Sequence, residues 1–117
     1  TRLIAAKGVL WGHLKLVKLG GLAPTLAAAN RLRLADVPFM IGQMNEGHAA
    51  TAAALQLCRV VQPAFAELYG ADGLTDDPVS GLEYRNGLVT VNDSPGLGVQ
   101  FNAAQAHLLQ EFNDARC

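Results

Sequence analysis

Cysteine is scarce, with two residues in 117: Cys58 inside an Ala/Leu-rich run and Cys117 at the last position. No Cys-x-x-Cys and no Cys/His cluster occurs, so neither a disulfide framework nor a zinc site is expected, and both thiols are read as reduced. No apolar run approaches the roughly 18 residues of a membrane span. Thr1-Arg2-Leu3 opens into a helix-like segment with no charged-then-apolar leader, so a cytoplasmic protein with no membrane partner is expected. A basic excess is missing too. The formal net charge is −1, which excludes the electrostatic footprint of a nucleic-acid partner. Aromatics are few: Trp11 has no aromatic neighbour in sequence that would make a stacking platform, and it is assigned to the core. Charged residues make up only 16% of the chain against 50% hydrophobic ones, a balance that excludes disorder. The length suits one domain.

What is present is a repeated pairing of a short apolar run with a helical one. Residues 10–17 read as a strand that ends in His13-Leu14-Lys15-Leu16-Val17-Lys18-Leu19 and is broken by Gly20-Gly21. Residues 22–35 read as a helix with Pro24 in its first turn and Leu22, Leu26, Ala29 and Leu32 as an apolar stripe. Residues 37–41 form a second strand without polar alternation, as expected for a strand buried on both faces. It runs into Gln43-Met44-Asn45-Glu46-Gly47. Residues 48–61 form a second helix, in which Ala49, Ala52, Ala53 and Ala54 permit close approach to a sheet, and residues 65–68 are a short third strand. The strands recur roughly every 25 residues, the spacing of βα units. Residues 3–7 read as a helix stopped by Gly8.

The pattern changes after Thr75-Asp76-Asp77-Pro78, a turn. Residues 82–85 and 88–91 flank Asn86-Gly87, a strong hairpin signal because both turn residues accept positive φ. Ser94-Pro95-Gly96 is another turn. Asn102 with Gln105 resembles a capping box for a final helix to about Arg116. Three parallel strands with their helices cannot close a barrel, and an open half-barrel exposes edges and apolar surface. The chain is therefore expected to be the C-terminal part of a larger protein, completed by the rest of the barrel or by another chain, with a homo-oligomer as the expected assembly.

Lys15 with Gly20-Gly21, the stretch from Gln43 to Gly47, Glu67-Leu68-Tyr69-Gly70 and Ser94-Pro95-Gly96-Leu97-Gly98 occur in an order and spacing that resemble the C-terminal part of the muconate lactonizing enzyme subgroup of the enolase superfamily. The resemblance covers nearly the whole chain. It implies an α/β fold: strands six to eight of a (β/α)₇β TIM-like barrel over residues 1–76, with a hairpin and terminal helix over residues 77–117 returning to a capping domain. It also implies a Mg²⁺ ion and an enediolate made by removing the α-proton of a small carboxylate substrate. The three carboxylate metal ligands belong to strands three to five and the partner Lys-x-Lys to strand two. This segment holds none of them, so no metal ligand is assigned in it.

In a barrel of this kind the carboxyl ends of the strands carry the chemistry. By strand parity Lys15 shares a face with His13 and Val17, and Lys18 takes the opposite face with Leu14 and Leu16. The resemblance places the acid/base lysine at Lys15; as a base it acts as the neutral amine, a form favoured by desolvation and nearby positive charge. The competing reading is a pair of surface lysines after a strand. For Glu46, before a helix N-terminus, the resemblance implies a catalytic role in proton delivery or substrate contact, against the alternative of an acid that merely stabilises the helix end. Gln43, Met44 and Asn45 are assigned to substrate binding, against the alternative of solvated loop residues, and Glu67 to substrate binding or, equally, to a structural hydrogen bond. His48 is read as a helix-start residue or one supporting the site from behind, rather than the strand-end histidine that the mandelate racemase subgroup pairs with an Asp, since the preceding strand ends in Lys15. His13 is read as a core histidine facing the barrel, and His107 as solvated on the terminal helix.

Two functions stand open at this point. One is part of a Mg²⁺-dependent enzyme, a racemase or epimerase or a dehydratase acting on an amino-acid-like or hydroxy-acid substrate, with cycloisomerisation also possible. The other is a non-catalytic half-barrel serving only as an assembly module. The isolated segment is expected to be inactive.

Overall fold

The computed structural model describes residues 2–5, 8, 11–91 and 93–111. Strands β1 (Gly12–Lys15), β2 (Phe39–Gly42) and β3 (Phe65–Glu67) form one parallel sheet in that order. The crossovers are helices α3 (Leu22–Leu34) and α4 (His48–Val61). Two short helical segments precede α3: α1 (Arg2–Ala5) and α2 (Leu16–Leu19). The expected helix over residues 3–7 is thus present in part, with Ala6 and Lys7 outside the described residues.

β1 is shorter than the apolar run suggested. The chain turns helical at Leu16, and the N–H groups of Gly20 and Gly21 both donate to the Leu16 carbonyl at 2.9 Å. Gly20, at φ 91°, closes that turn in the left-handed region. Lys15 therefore ends the strand. Val17 and Lys18 leave the strand alternation and lie exposed on α2. α4 ends where Gln62 takes φ 43° and donates to the Cys58 carbonyl, with Pro63 preventing continuation.

The core lies on one face of the sheet. Leu14 and Ile41 pack with Phe39, Leu16 and Leu68 against Ala29 of α3 and Ala54, Leu57 and Val61 of α4. The opposite face carries His13, Met40, Phe65, Lys15 and Glu67 and has no helix packed over it among the described residues. Phe65 is 62% exposed, and Trp11 is 49% exposed. β2, the strand expected to be buried on both faces, is buried at Phe39 and Ile41 on the core side and half-buried to buried at Met40 and Gly42 on the other, whereas β3 is exposed throughout. Two expectations are corrected. Trp11 is not a core residue and does have an aromatic partner, Phe65, at a ring-centroid distance of 5.4 Å. His13 lies on the open face with 41% of its side chain exposed. The radius of gyration, 16.2 Å, exceeds the ~13–14 Å of a compact domain of this length, as an uncovered sheet requires.

Beyond a 3₁₀ turn at Gly70–Gly73, β4 (Val79–Ser80) pairs antiparallel with β7 (Gln100–Phe101). Between them lies the hairpin of β5 (Leu82–Arg85) and β6 (Leu88–Val91), in register Arg85↔Leu88. Asn86 and Gly87 both have positive φ, 52° and 76°, the geometry of a type I′ turn. Val89 packs on the core, and the Tyr84 hydroxyl donates to the Leu68 carbonyl at 3.0 Å. Burial pushes the Tyr84 phenol up, offset in part by hydrogen bonding to Thr51. Asn102 does cap the next segment, its side chain accepting from Ala104 N at 3.1 Å. That segment is only a 3₁₀ turn, Ala103–Gln105, and no helix continues to Glu111. Leu108 and Leu109 are 81% and 95% exposed, so the apolar face that would stabilise a helix has nothing to pack on. His107 is exposed but not helical. Residues 112–117, including Cys117, lie outside the described residues.

Candidate functional site

Three residues form one row at the carboxyl ends of the strands. Lys15 of β1 is in register with Gly42 of β2, and Gly42 with Glu67 of β3. In a parallel sheet, residues in register point to the same side, so Lys15 and Glu67 share the face left open by the helices. Gly42 contributes no side chain between them. The His13 imidazole lies over Gly42 and brings its Nε2 to 3.9 Å from Glu67 Oε2. Two half-exposed groups at that separation form a weak pair.

The turn at residues 43–46 closes the site beside Lys15. Lys15 Nζ donates to the Gln43 carbonyl at 2.9 Å and reaches Met44 Sδ at 3.6 Å. Glu46 folds back so that its Oε1 accepts from Met44 N at 2.8 Å. At the rim, the Tyr69 hydroxyl donates to Asn45 Oδ1 at 3.2 Å, tying the turn to the segment after β3. Gly70 supports the turn from behind. A Cβ there would stand 2.7 Å from both Met44 O and Glu46 N, a backbone approach that only glycine permits.

Gln43 differs from a pocket-lining side chain. It is 2% exposed, and its Nε2 donates to Thr51 Oγ1 at 2.8 Å. What it presents to Lys15 is its backbone carbonyl. Met44 and Asn45 are exposed at the rim, Glu46 is half-buried and Glu67 is exposed on the row. Thr51, which sequence reasoning passed over, is fully buried. Its signal was a lone hydroxyl on the buried face of an alanine-rich helix, three residues before Ala54.

The anion at the start of α4 is not Glu46 but Asp77, from the tail. Asp77 Oδ2 accepts from His48 N at 2.5 Å and lies 2.8 Å from His48 Nδ1, and Oδ1 accepts from Val79 N at 2.9 Å. Burial alone would raise the Asp77 carboxyl; the hydrogen bonds from His48 and Val79 outweigh it and hold the carboxyl below its ordinary value. His48 is the first residue of α4, as the sequence suggested. Asp77 had been read only as a turn residue.

Among the described residues no group of three His, Cys, Asp or Glu side chains is placed to hold a metal ion. No helix among them is long and apolar enough to cross a membrane. The site therefore consists of a lysine, two separate carboxylates and a backbone carbonyl at the ends of three parallel strands.

The enolase C-terminal domain-like family model matches residues 1–106. The chain belongs to this family. An L-Lys-D/L-Arg epimerase from Desulforapulum autotrophicum is 37% identical over 90 residues, covering 75% of this chain and 25% of the epimerase. The muconate lactonizing enzyme from Pseudomonas putida superimposes with a TM-score of 0.80 at 27% identity, over 89% of this chain and 30% of its own. A dipeptide epimerase from Methylococcus capsulatus, solved with Mg and the dipeptide L-Arg-D-Lys, does so with a TM-score of 0.73 at 31% identity, over 78% of this chain and 26% of its own. The segment spans about a quarter of the length of the curated relatives it matches, which are epimerases and racemases. Its solved neighbours in the enolase family extend well beyond the three strands described above.

Proposed function

We propose that this segment supplies the acid/base lysine and part of the substrate pocket of a complete enolase-type barrel enzyme that racemises or epimerises an amino-acid or dipeptide carboxylate. The observation that carries this reading is Lys15. It ends an inner-face strand position, is held by the Gln43 carbonyl at 2.9 Å, and shares its row with Glu67.

In this reading the Lys15 amine accepts the substrate α-proton and becomes an ammonium, while the C–H electron pair forms a double bond from the α-carbon to the carboxylate carbon and the carboxylate π pair moves onto its oxygens. The Gln43 carbonyl accepts one N–H and so aims the remaining lone pair across the open row. The proton returns from the opposite face through a base outside this segment. Glu46 and Glu67 bind or position the substrate, with Met44 and Asn45 at the rim. Among the described residues no three ligating side chains converge, and in this reading the Mg²⁺ ligands of the complete protein come from strands outside this segment. We extend the reading to the tail, in which residues 77–117 also contact a capping domain. The epimerases and racemases among the relatives favour proton exchange over dehydration or cycloisomerisation, and the lysine at a strand end favours an enzyme over an assembly module.

The test is Lys15→Ala in the complete protein, with α-proton exchange into solvent deuterium followed by NMR for each stereoisomer. Exchange should be lost, or restricted to one stereoisomer. Exchange at the full rate from both would move the base elsewhere, with Lys18 or His48 the first suspects.

A further inference from the structure

The buried hydroxyl of Thr51 touches Gln43, and Gln43 touches Lys15. We propose that Thr51 is a positioning residue for Lys15, acting through the Gln43 side chain on the Gln43 carbonyl. This rests on the assignment of Lys15 as the base.

The donors and acceptors fix the direction of the relay. The Thr51 hydroxyl reaches the Gly47 carbonyl at 3.0 Å, one turn back in α4. Tyr84 also hydrogen-bonds to this hydroxyl; whether the single Thr51 proton goes to Gly47 or to Tyr84, the hydroxyl accepts from Gln43, so the amide presents Nε2, at 2.8 Å. The other end of that amide, Oε1, is buried and has no partner among the described residues. The side chain thus has one polar anchor. Thr51 is 0% exposed and Gln43 2% exposed, so water cannot replace a lost bond without a cavity, and an unpaired buried amide is costly. Gly70 lies against the same amide and against the turn backbone, leaving the side chain little room to rotate toward a new partner. Gln43 immediately follows Gly42, the last residue of β2. The anchored amide and the carbonyl that holds Lys15 Nζ at 2.9 Å therefore belong to one residue, so the Thr51 bond restrains the residue that aims Lys15.

The consequence is specific to one face of the reaction. Displacing the Gln43 carbonyl should misaim Lys15 and leave the base on the opposite face of the substrate in place, because that base lies outside this segment. A loss of general stability would slow both faces alike.

The experiment uses the complete protein and compares Thr51→Val, which keeps the shape and removes the hydroxyl, with Thr51→Ser, which keeps the hydroxyl. Initial rates of α-proton exchange into deuterium are measured from each stereoisomer. Thr51→Val should lower kcat about tenfold for the stereoisomer deprotonated by Lys15, with KM changed less than twofold, and leave the other stereoisomer within about twofold. Thr51→Ser should restore the wild-type ratio of the two rates. Gln43→Met removes the other end of the same bond and gives the same readout if Thr51→Val does not fold. The double variant should be no worse than the more impaired single one, since both remove one interaction. Equal losses from both stereoisomers, or no loss in Thr51→Val and Gln43→Met, overturn the proposal. Lys15→Ala run in parallel separates the two readings. Exchange lost there with an unchanged ratio in Thr51→Val sinks only the Thr51 relay. Exchange unchanged in Lys15→Ala sinks both.

Discussion

Asp77 grips His48 twice, accepting from its backbone N–H at 2.5 Å and facing its Nδ1 at 2.8 Å. The two residues are 29 positions apart, and the grip joins the tail to the first turn of α4, next to the turn that holds Lys15. A carboxylate at a helix N-terminus meets both an unpaired N–H and the positive end of the helix dipole. The bond from Val79 N adds a third donor.

The first prediction follows from that carboxylate. Asp77→Ala should cost about 2–4 kcal/mol of stability in the complete protein at pH 7, because charge-assisted hydrogen bonds are lost and the α4 terminus is left uncapped. The Asp77 carboxyl is held below its unfolded value. Its contribution is therefore full above about pH 4 and disappears as pH falls through the folded value. Denaturant unfolding of wild type and variant should give curves that differ at pH 7 and converge as the carboxyl protonates. A difference that stays constant down to pH 2 would show that the ionised form contributes nothing.

Gly70 carries the second prediction. A Cβ at this position meets backbone atoms of Met44 and Glu46 at 2.7 Å, whereas one at Gly73, in the same 3₁₀ turn, meets nothing within 4 Å. Gly70→Ala should cost about 1–3 kcal/mol from overpacking and raise KM by displacing the turn at residues 43–46. Gly73→Ala should leave both unchanged. Equal behaviour of the two variants would mean that the turn is not clamped.

Some of this was legible in the sequence, and the reasons differ by residue. α4 could be placed at His48–Val61 because its alanine-rich run starts after a glycine and ends before a proline. The Asn86-Gly87 hairpin was legible because its turn chemistry is local. The position of Lys15 on the helix-free face of the sheet followed from parity with His13. The end of β1 did not, since Leu16-Val17-Lys18-Leu19 fits a strand as well as a helical turn until Gly20 closes it. The β4–β7 pair has two residues on each side, too few to show alternation. Gln43 and Asp77 depended on partners 8 and 29 positions away. Composition could mark them as polar but not say which way each side chain turns.

The third prediction concerns Cys58. It is half-buried in α4, and burial pushes its thiol up to about 11. The thiolate is the reactive form, so alkylation at pH 7 should be slow and should accelerate steadily with pH toward 10. Site-resolved mass spectrometry after iodoacetamide pulses would measure this. Labelling of Cys58 at pH 7 as fast as a free cysteine would place the thiol in a different environment.

The last prediction concerns the open face of the sheet. Phe65 and Trp11 stack there largely exposed, beside Met40 and the charged row of Lys15 and Glu67. Apolar surface left in water forfeits about 25 cal/mol per Å², and among the described residues β1 and β3 each present an unpaired edge. Expressed by itself, the 117-residue segment should associate with other copies or remain partly folded. It should also show no tight Mg²⁺ binding, since no three ligating side chains converge among the described residues. Sedimentation velocity and Mg²⁺ titration calorimetry would decide both points. Phe65→Ser together with Trp11→Ser should shift the sedimentation profile toward monomer, because both are large apolar side chains exposed on that face. A compact, cooperatively unfolding monomer of the wild-type segment would mean that the face is covered by a rearrangement within the segment itself.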